Sequence, residues 1–159
     1  HLTVQKPHRD FCITKMSSDY LLPATVYKIL KDVQVSTEAP AITKRNATYH
    51  LIGSASAGWS PTVPRYYTSK SLQGHWTVQA NPLHGTNPIE GMGVEKTFGG
   101  QSTFIFPVQG LKDAYIIMFD IWKPGNASEG GYIWLPLIFN NNKLSIKWMD
   151  KWDLGVFKK

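Results

Sequence analysis

The sequence predicts an all-β fold of antiparallel strands, and three observations predict it. Aromatic residues make up 13% of the chain, with six Trp, seven Tyr and seven Phe. Such rings, like β-branched residues, suit pleated, half-buried surfaces. Thirteen Gly and ten Pro break the chain into short pieces, so turn signals recur at strand-like spacing. Finally, no segment sustains a helical period. The nearest, 24–33, is short and β-branched, and reads as one helical turn or as a strand.

The strands follow in order. The stretch 11–16 alternates and ends at Ser17-Ser18-Asp19. Strands are then expected at 40–44, 48–55, 64–69 and 75–79. A Gly- and Pro-rich loop covers roughly 80–100. Strands resume at 102–108, 114–122, 131–139 and 144–149, with turn residues between them, as in an antiparallel meander.

Residues 38–79 and 101–149 read as two similar units. Each opens on a polar residue, Glu38 or Gln101, directly before a short apolar strand. Each continues through a turn, an aromatic strand and a Gly- or Pro-containing loop, then a strand with paired aromatics (Tyr66 and Tyr67; Tyr132 and Trp134). Each closes around a tryptophan, Trp76 or Trp148. Four antiparallel strands repeated in this way are the mark of propeller blades. The chain divides accordingly into 1–37 (end of a preceding blade and a connection), 38–100 (blade and loop) and 101–159 (final blade). Two blades and a piece of a third cannot close a ring. The arrangement is therefore either a partial propeller or a two-sheet sandwich of the same strands.

Composition removes several function classes. The net charge is +6, but the cations are scattered and only Lys158-Lys159 forms a small basic tail. That pattern describes a solvated surface, not a phosphate-tracking stripe, so no nucleic-acid partner is expected. No apolar run has the length of a membrane span. The single cysteine, Cys12, lies in an apolar strand and reads as a small core residue. The five histidines (1, 8, 50, 75, 84) show no HExxH pattern or close pairing, so no metal is expected. No nucleophile elbow is present, and no Gly-rich loop leads from a strand into a helix, so no cofactor is implied. The chain begins without Met or a signal peptide, and a processed or truncated N-terminus is expected. Two N-glycosylation sequons, at Asn46 and Asn126, fall in turns and favour an extracellular setting.

Residues that begin equivalent inner strands of a propeller converge on its central channel. Glu38 and Gln101 are such a pair. A carboxyl group facing a second polar group suits glycoside hydrolysis, where a carboxylic acid protonates the leaving oxygen. The alternative is an exposed glutamate in a Thr-Glu-Ala-Pro turn. Trp59 and Tyr66 are candidates for walls that stack on a sugar, or else for loop and core packing. Asp120 stands within an apolar strand and needs partners, at a site edge or in a structural hydrogen bond.

Several motifs carry a resemblance. Glu38-Ala39-Pro40-Ala41-Ile42 followed by Lys44-Arg45-Asn46 and Tyr49-His50-Leu51-Ile52 resembles the general-acid segment of glycoside hydrolase family 43. Gly58-Trp59-Ser60-Pro61 with Arg65-Tyr66 resembles the Gly-Trp loop of its exo-β-1,3-galactanase-like branch. So do Phe98-Gly99-Gly100-Gln101 and the ending from Tyr132 to Leu154. The motifs run in order along nearly the whole chain.

The resemblance implies the C-terminal portion of a five-bladed β-propeller and an inverting hydrolysis of β-1,3-linked galactose. It matches Glu38 to the general acid and Gln101 to an unusual glutamine placed where relatives carry a carboxylate base. A neutral amide is a poor base, so Gln101 can equally hold water or a sugar hydroxyl. Ala57 stands where the branch usually has Thr, and Ile121 where it often has Arg. The acidic residue that the family draws from its early blades has no counterpart here. The expected protein is thus a half-site completed by blades from a second chain or a homo-oligomer. The alternative is a non-catalytic, carbohydrate-binding or structural oligomer of degenerate blades.

Overall fold

A computed structural model of the chain describes residues 2–5 and 10–158; His1, His8 and Lys159, named above, lie outside them. The first sheet joins β1 (Leu2–Gln5), β2 (Asp10–Met16) and β3 (Pro23–Ile29), all antiparallel. The ambiguous segment at 24–33 is therefore strand β3 for much of its length.

The second sheet runs in chain order through β4 (Thr37–Arg45), β5 (Thr48–Ala55), β6 (Arg65–Ser69) and β7 (Thr77–Gln79). A connecting segment follows, with β8 (Leu83–His84) and the small hairpin of β9 (Thr86–Asn87) and β10 (Met92–Gly93). The last sheet is ordered β11 (Gln101–Pro107), β12 (Tyr115–Ile121), β13 (Gly131–Asn140), β14 (Lys143–Lys147), then β8, which pairs parallel to β14.

Burial patterns explain the stacking. In β5, Leu51 and Ile52 are both fully buried but on opposite faces, and Tyr66 and Tyr67 of β6 repeat the division. Leu51 and Tyr67 join Phe11, Leu30 and Trp76 in one core. Ile52 and Tyr66 join Phe119, Leu135, Leu137 and Ile146 in another. The middle sheet is thus covered on both sides, and three sheets stack in series. Two cores separated by a sheet rule out the two-sheet sandwich and give the stacked antiparallel blades of a partial β-propeller.

Local chemistry fixes the ends of the blades. Asn46-Ala47 and Asn141-Asn142 both take positive φ, as two-residue hairpin turns of twisted strands require. Arg45 ties these two turns together. Its guanidinium reaches both carboxylate oxygens of Asp113 at 3.1 Å and donates to Asn142 Oδ1 at 2.9 Å. The loop expected at 80–100 contains more order than its composition suggests. Strands of two residues have no period to display, and they are held by single side chains such as Asn87, whose Nδ2 donates to the Phe98 carbonyl at 2.9 Å.

The outer face of the last sheet carries exposed aromatic rings. Phe104, Tyr132 and Trp134 stand 49–74% exposed there, with Phe106 edge-on to Trp134 at 6.0 Å.

Candidate active site

The inner strands β4 and β11 lie side by side and share a local construction. Each carries its polar residue at or next to its first position and is bulged soon afterwards, between Glu38 and Ala41 in β4 and between Ser102 and Phe104 in β11. A bulge bends the strand and re-aims the side chains beside it. In β4 the bend is carried by Ala39, at a φ of 53°. The Ala39 carbonyl accepts from Ser102 Oγ at 2.6 Å, which locks the two bulges to each other. Gly53 of β5 leaves room for the bulged β4, because a Cβ there would stand 2.8 Å from the Glu38 carbonyl oxygen.

The segment entering β11 is held in unusual backbone. Thr97 and Phe98 both have positive φ, in a region that costs non-glycine residues stability and persists only under strong packing. Phe98 is fully buried, and Thr97 Oγ1 donates to the Thr62 carbonyl at 2.6 Å. Gly100 then passes so close to β12 that a Cβ would lie 2.9 Å from that of Phe119. These contacts deliver Gln101 to its place.

Glu38 and Gln101 meet directly. Gln101 Nε2 donates to Glu38 Oε1 at 3.0 Å and to Ser54 Oγ at 2.9 Å. On its other side, Gln101 Oε1 accepts from Trp122 Nε1 at 3.2 Å. An indole N–H can only donate, so Trp122 identifies which amide atom faces it. The amide must then present its NH₂ to Glu38. Ser54 stands opposite Glu38 in the β4–β5 register.

Aromatic walls complete the cleft. Trp59 and Trp122 pack with ring centroids 5.1 Å apart, and with Ser54, Pro61 and Gln101 they line a narrow cleft. A neighbouring cleft of about 350 Å³ runs from the same two rings past Asp120 to Tyr132. Asp120 is the register partner of Gln101, and burial pushes its carboxyl above the usual range. Of the sequence-selected residues, Gln101, Trp59 and Asp120 border these two clefts, and Glu38 is tied to them through its hydrogen bond from Gln101.

Tyr66 lies elsewhere. Its side chain is 6% exposed in the core between the blades, and its hydroxyl pairs with His50 Nδ1 at 2.7 Å. β6 turns Tyr66 and Tyr67 to opposite faces, and neither faces the Glu38 cleft. Ser54 and Trp122 are the residues the sequence reading did not select. Their signal exists only in the register, which pairs Ser54 with Glu38 and places Trp122 just past the strand residue facing Gln101.

Among the described residues no group of three His, Cys, Asp or Glu is placed to hold a metal. Cys12 is buried, and burial followed by the Asp10 charge pushes its thiol up, away from the reactive form. Asn46 and Asn126 are both exposed in turns.

The stacked sheets define a class, a portion of a β-propeller. Solved structures narrow it. No family model and no curated protein matches the chain. Over 94% of its length, however, the chain is similar to a family 43 β-1,3-galactosidase at 30% identity and a TM-score of 0.83. A second family 43 β-1,3-galactosidase, solved with galactodeoxynojirimycin, matches 91% of the chain at 37% identity and a TM-score of 0.80. An exo-β-1,3-galactanase from Phanerochaete chrysosporium, solved with β-1,3-galactotriose, matches 91% at 26% identity and a TM-score of 0.73. The structural neighbours of the chain are thus glycoside hydrolase family 43 β-1,3-galactanases. It spans only 30%, 40% and 31% of those three proteins, so it corresponds to a portion of their propeller.

Proposed function

We propose that the chain carries the general-acid part of an inverting, galactan-cleaving site, with Glu38 as the acid. The observation that carries this reading is the Glu38–Gln101–Ser54 hydrogen-bonded group beside the Trp59–Trp122 wall. In the proposed step the Glu38 carboxyl gives its proton to the glycosidic oxygen. The bond from the sugar C1 to that oxygen breaks, and water attacks C1 from the opposite face, passing its proton to a carboxylate base supplied by the blades that complete the pocket. Gln101 acts as an orienting donor that holds one oxygen of Glu38 and leaves the other for substrate. Its own oxygen is engaged by Trp122, which speaks against Gln101 as the base. Trp59 and Trp122 stack on the apolar face of a galactose ring, and Asp120 borders the same space.

The remainder of the pocket comes from further blades, in a second chain or a second copy. The exposed Phe104, Tyr132 and Trp134 face suits such packing. An extracellular location, with glycans on Asn46 and Asn126, fits the turns that hold both sequons.

The test is galactose release from β-1,3-galactan by the chain together with the blades that complete it. Glu38→Gln should abolish release. Unchanged release in that variant would overturn the assignment of the acid.

A second reading is a carbohydrate-binding protein without hydrolysis. It is favoured by the hydrogen-bonded group itself, which holds a single carboxylate. Titration calorimetry with β-1,3-galactotriose separates the two, since binding without product supports the second reading.

A further inference from the structure

A second cavity lies away from the Glu38–Gln101 group. It is a groove of about 720 Å³ between the middle and last sheets, lined by residues of β5, β6 and β7 and by the β13–β14 turn. It lies at the other end of the blades. His50 on its floor and Ser54 in the Glu38 cleft are four residues apart on β5, about 13 Å at strand rise.

Its floor is a buried polar pair. His50 is 3% exposed and Tyr66 6% exposed, and they share a 2.7 Å hydrogen bond. Burial, followed by the Arg45 and Lys70 charges, pushes His50 down to about 4. Burial also pushes the Tyr66 phenol up. Both rings are therefore neutral near neutral pH, and each combines an apolar face with a polar edge. A hydrocarbon pair would fill an inter-blade core at less desolvation cost, so polar groups here need a use.

The walls carry hydroxyls and amides: Thr48, Thr68, Gln79, Asn142 and Ser145. No Asp or Glu lines the groove, which disfavours a cation. Arg45 is already engaged by Asp113, so an anion would find only Lys143 and His84 at the rim. Neutral rings beneath hydroxyls and amides are the chemistry that recognises a neutral, hydroxyl-rich ligand.

We propose that this inter-blade groove is a second saccharide site, taking a neutral galactose unit of the same polymer that the Glu38 cleft addresses. It rests on the carbohydrate reading given above, and its test keeps the two apart. Two sites on one face-to-face stack would hold a galactan chain at two points, and would raise the local concentration of chain at the cleft.

The experiment is amide chemical-shift mapping of the chain, assembled with the blades that complete it, with galactose and with β-1,3-galactotriose. Both ligands should move the amides of Thr68, Gln79 and Ser145, as well as those of Ser54 and Trp59. Ala80 is exposed and lines the groove, so Ala80→Trp should fill it without disturbing a core. That variant should weaken binding at the groove at least tenfold and leave the Ser54 and Trp59 shifts unchanged. Shifts confined to the cleft, or groove shifts that survive Ala80→Trp, would overturn the second site alone. Shifts at neither place would overturn the carbohydrate reading as well. Sodium glucuronate provides a further arm. Tenfold tighter groove binding of glucuronate than of galactose would overturn the assignment of a neutral ligand.

Discussion

The two inner strands of the middle and last sheets are built alike and equipped differently. β4 and β11 each carry a polar residue, Glu38 or Gln101, near their start and bulge soon after it, and the bulges are joined through Ser102. Yet β4 presents a carboxylate and β11 an amide. Glu38 is held by one hydrogen bond from Gln101, whereas Gln101 is gripped on both sides, by Glu38, Ser54 and Trp122. A group fixed at both ends can orient another but exchanges no proton. Under the proposed function the difference divides the labour of the cleft: β4 would supply the chemistry and β11 the geometry.

The sharpest test sets one strand against the other. In the completed enzyme, Glu38→Gln should lower galactose release by roughly 10³-fold, the scale of a lost general acid. Gln101→Ala should cost clearly less. Equal losses, read by product assay, would break the division. Next in size is the delivery of Gln101. Gly100→Ala places a Cβ against Phe119, and should lower stability by about 1–3 kcal/mol, the cost of overpacking. Thermal melts check this, and an unchanged midpoint would show that β11 yields easily.

Trp122→Phe keeps a ring beside Trp59 but removes the N–H that pins Gln101. One lost hydrogen bond of this kind should lower kcat about tenfold with KM unchanged. A rise in KM alone would make Trp122 a wall and not a positioning residue.

The smallest effect lies at the far end of the same blade. The folded value of His50 is depressed, so between about 6.5 and about 4 the unfolded chain binds more protons than the folded one. The resulting contribution to stability is complete above pH 6.5 and falls as pH drops toward 4. Melting midpoints should decline over that window, and His50→Gln should flatten the decline.

The sequence made the pairing of Glu38 with Gln101 legible because repetition puts both at the same place in successive units, and position in a unit translates into position in a blade. The strands were legible because alternation survives in them. Trp122 and Ser54 were not, since what selects them is which residue stands opposite which across the sheet. Tyr66 shows the same limit from the other side. Adjacent tyrosines in a sheet buried on both faces leave no polar face to orient them. β8 to β10 escaped because two residues cannot alternate, and the loop motif around Phe98 reads as flexible glycine sequence although Asn87 and Thr62 fix it.

β8 leaves the middle sheet and docks alongside β14 before the chain turns back to form β11. The strand that will guard the outer rim of the last blade is therefore synthesised before that blade. A nascent chain meets its final strand with the mate already waiting, so the blade can seal as soon as β14 emerges. The same pairing covers the Ile146–Lys147 end of the edge that β14 would otherwise offer to a stranger, and gives that part of the last blade a guard against edge-to-edge association.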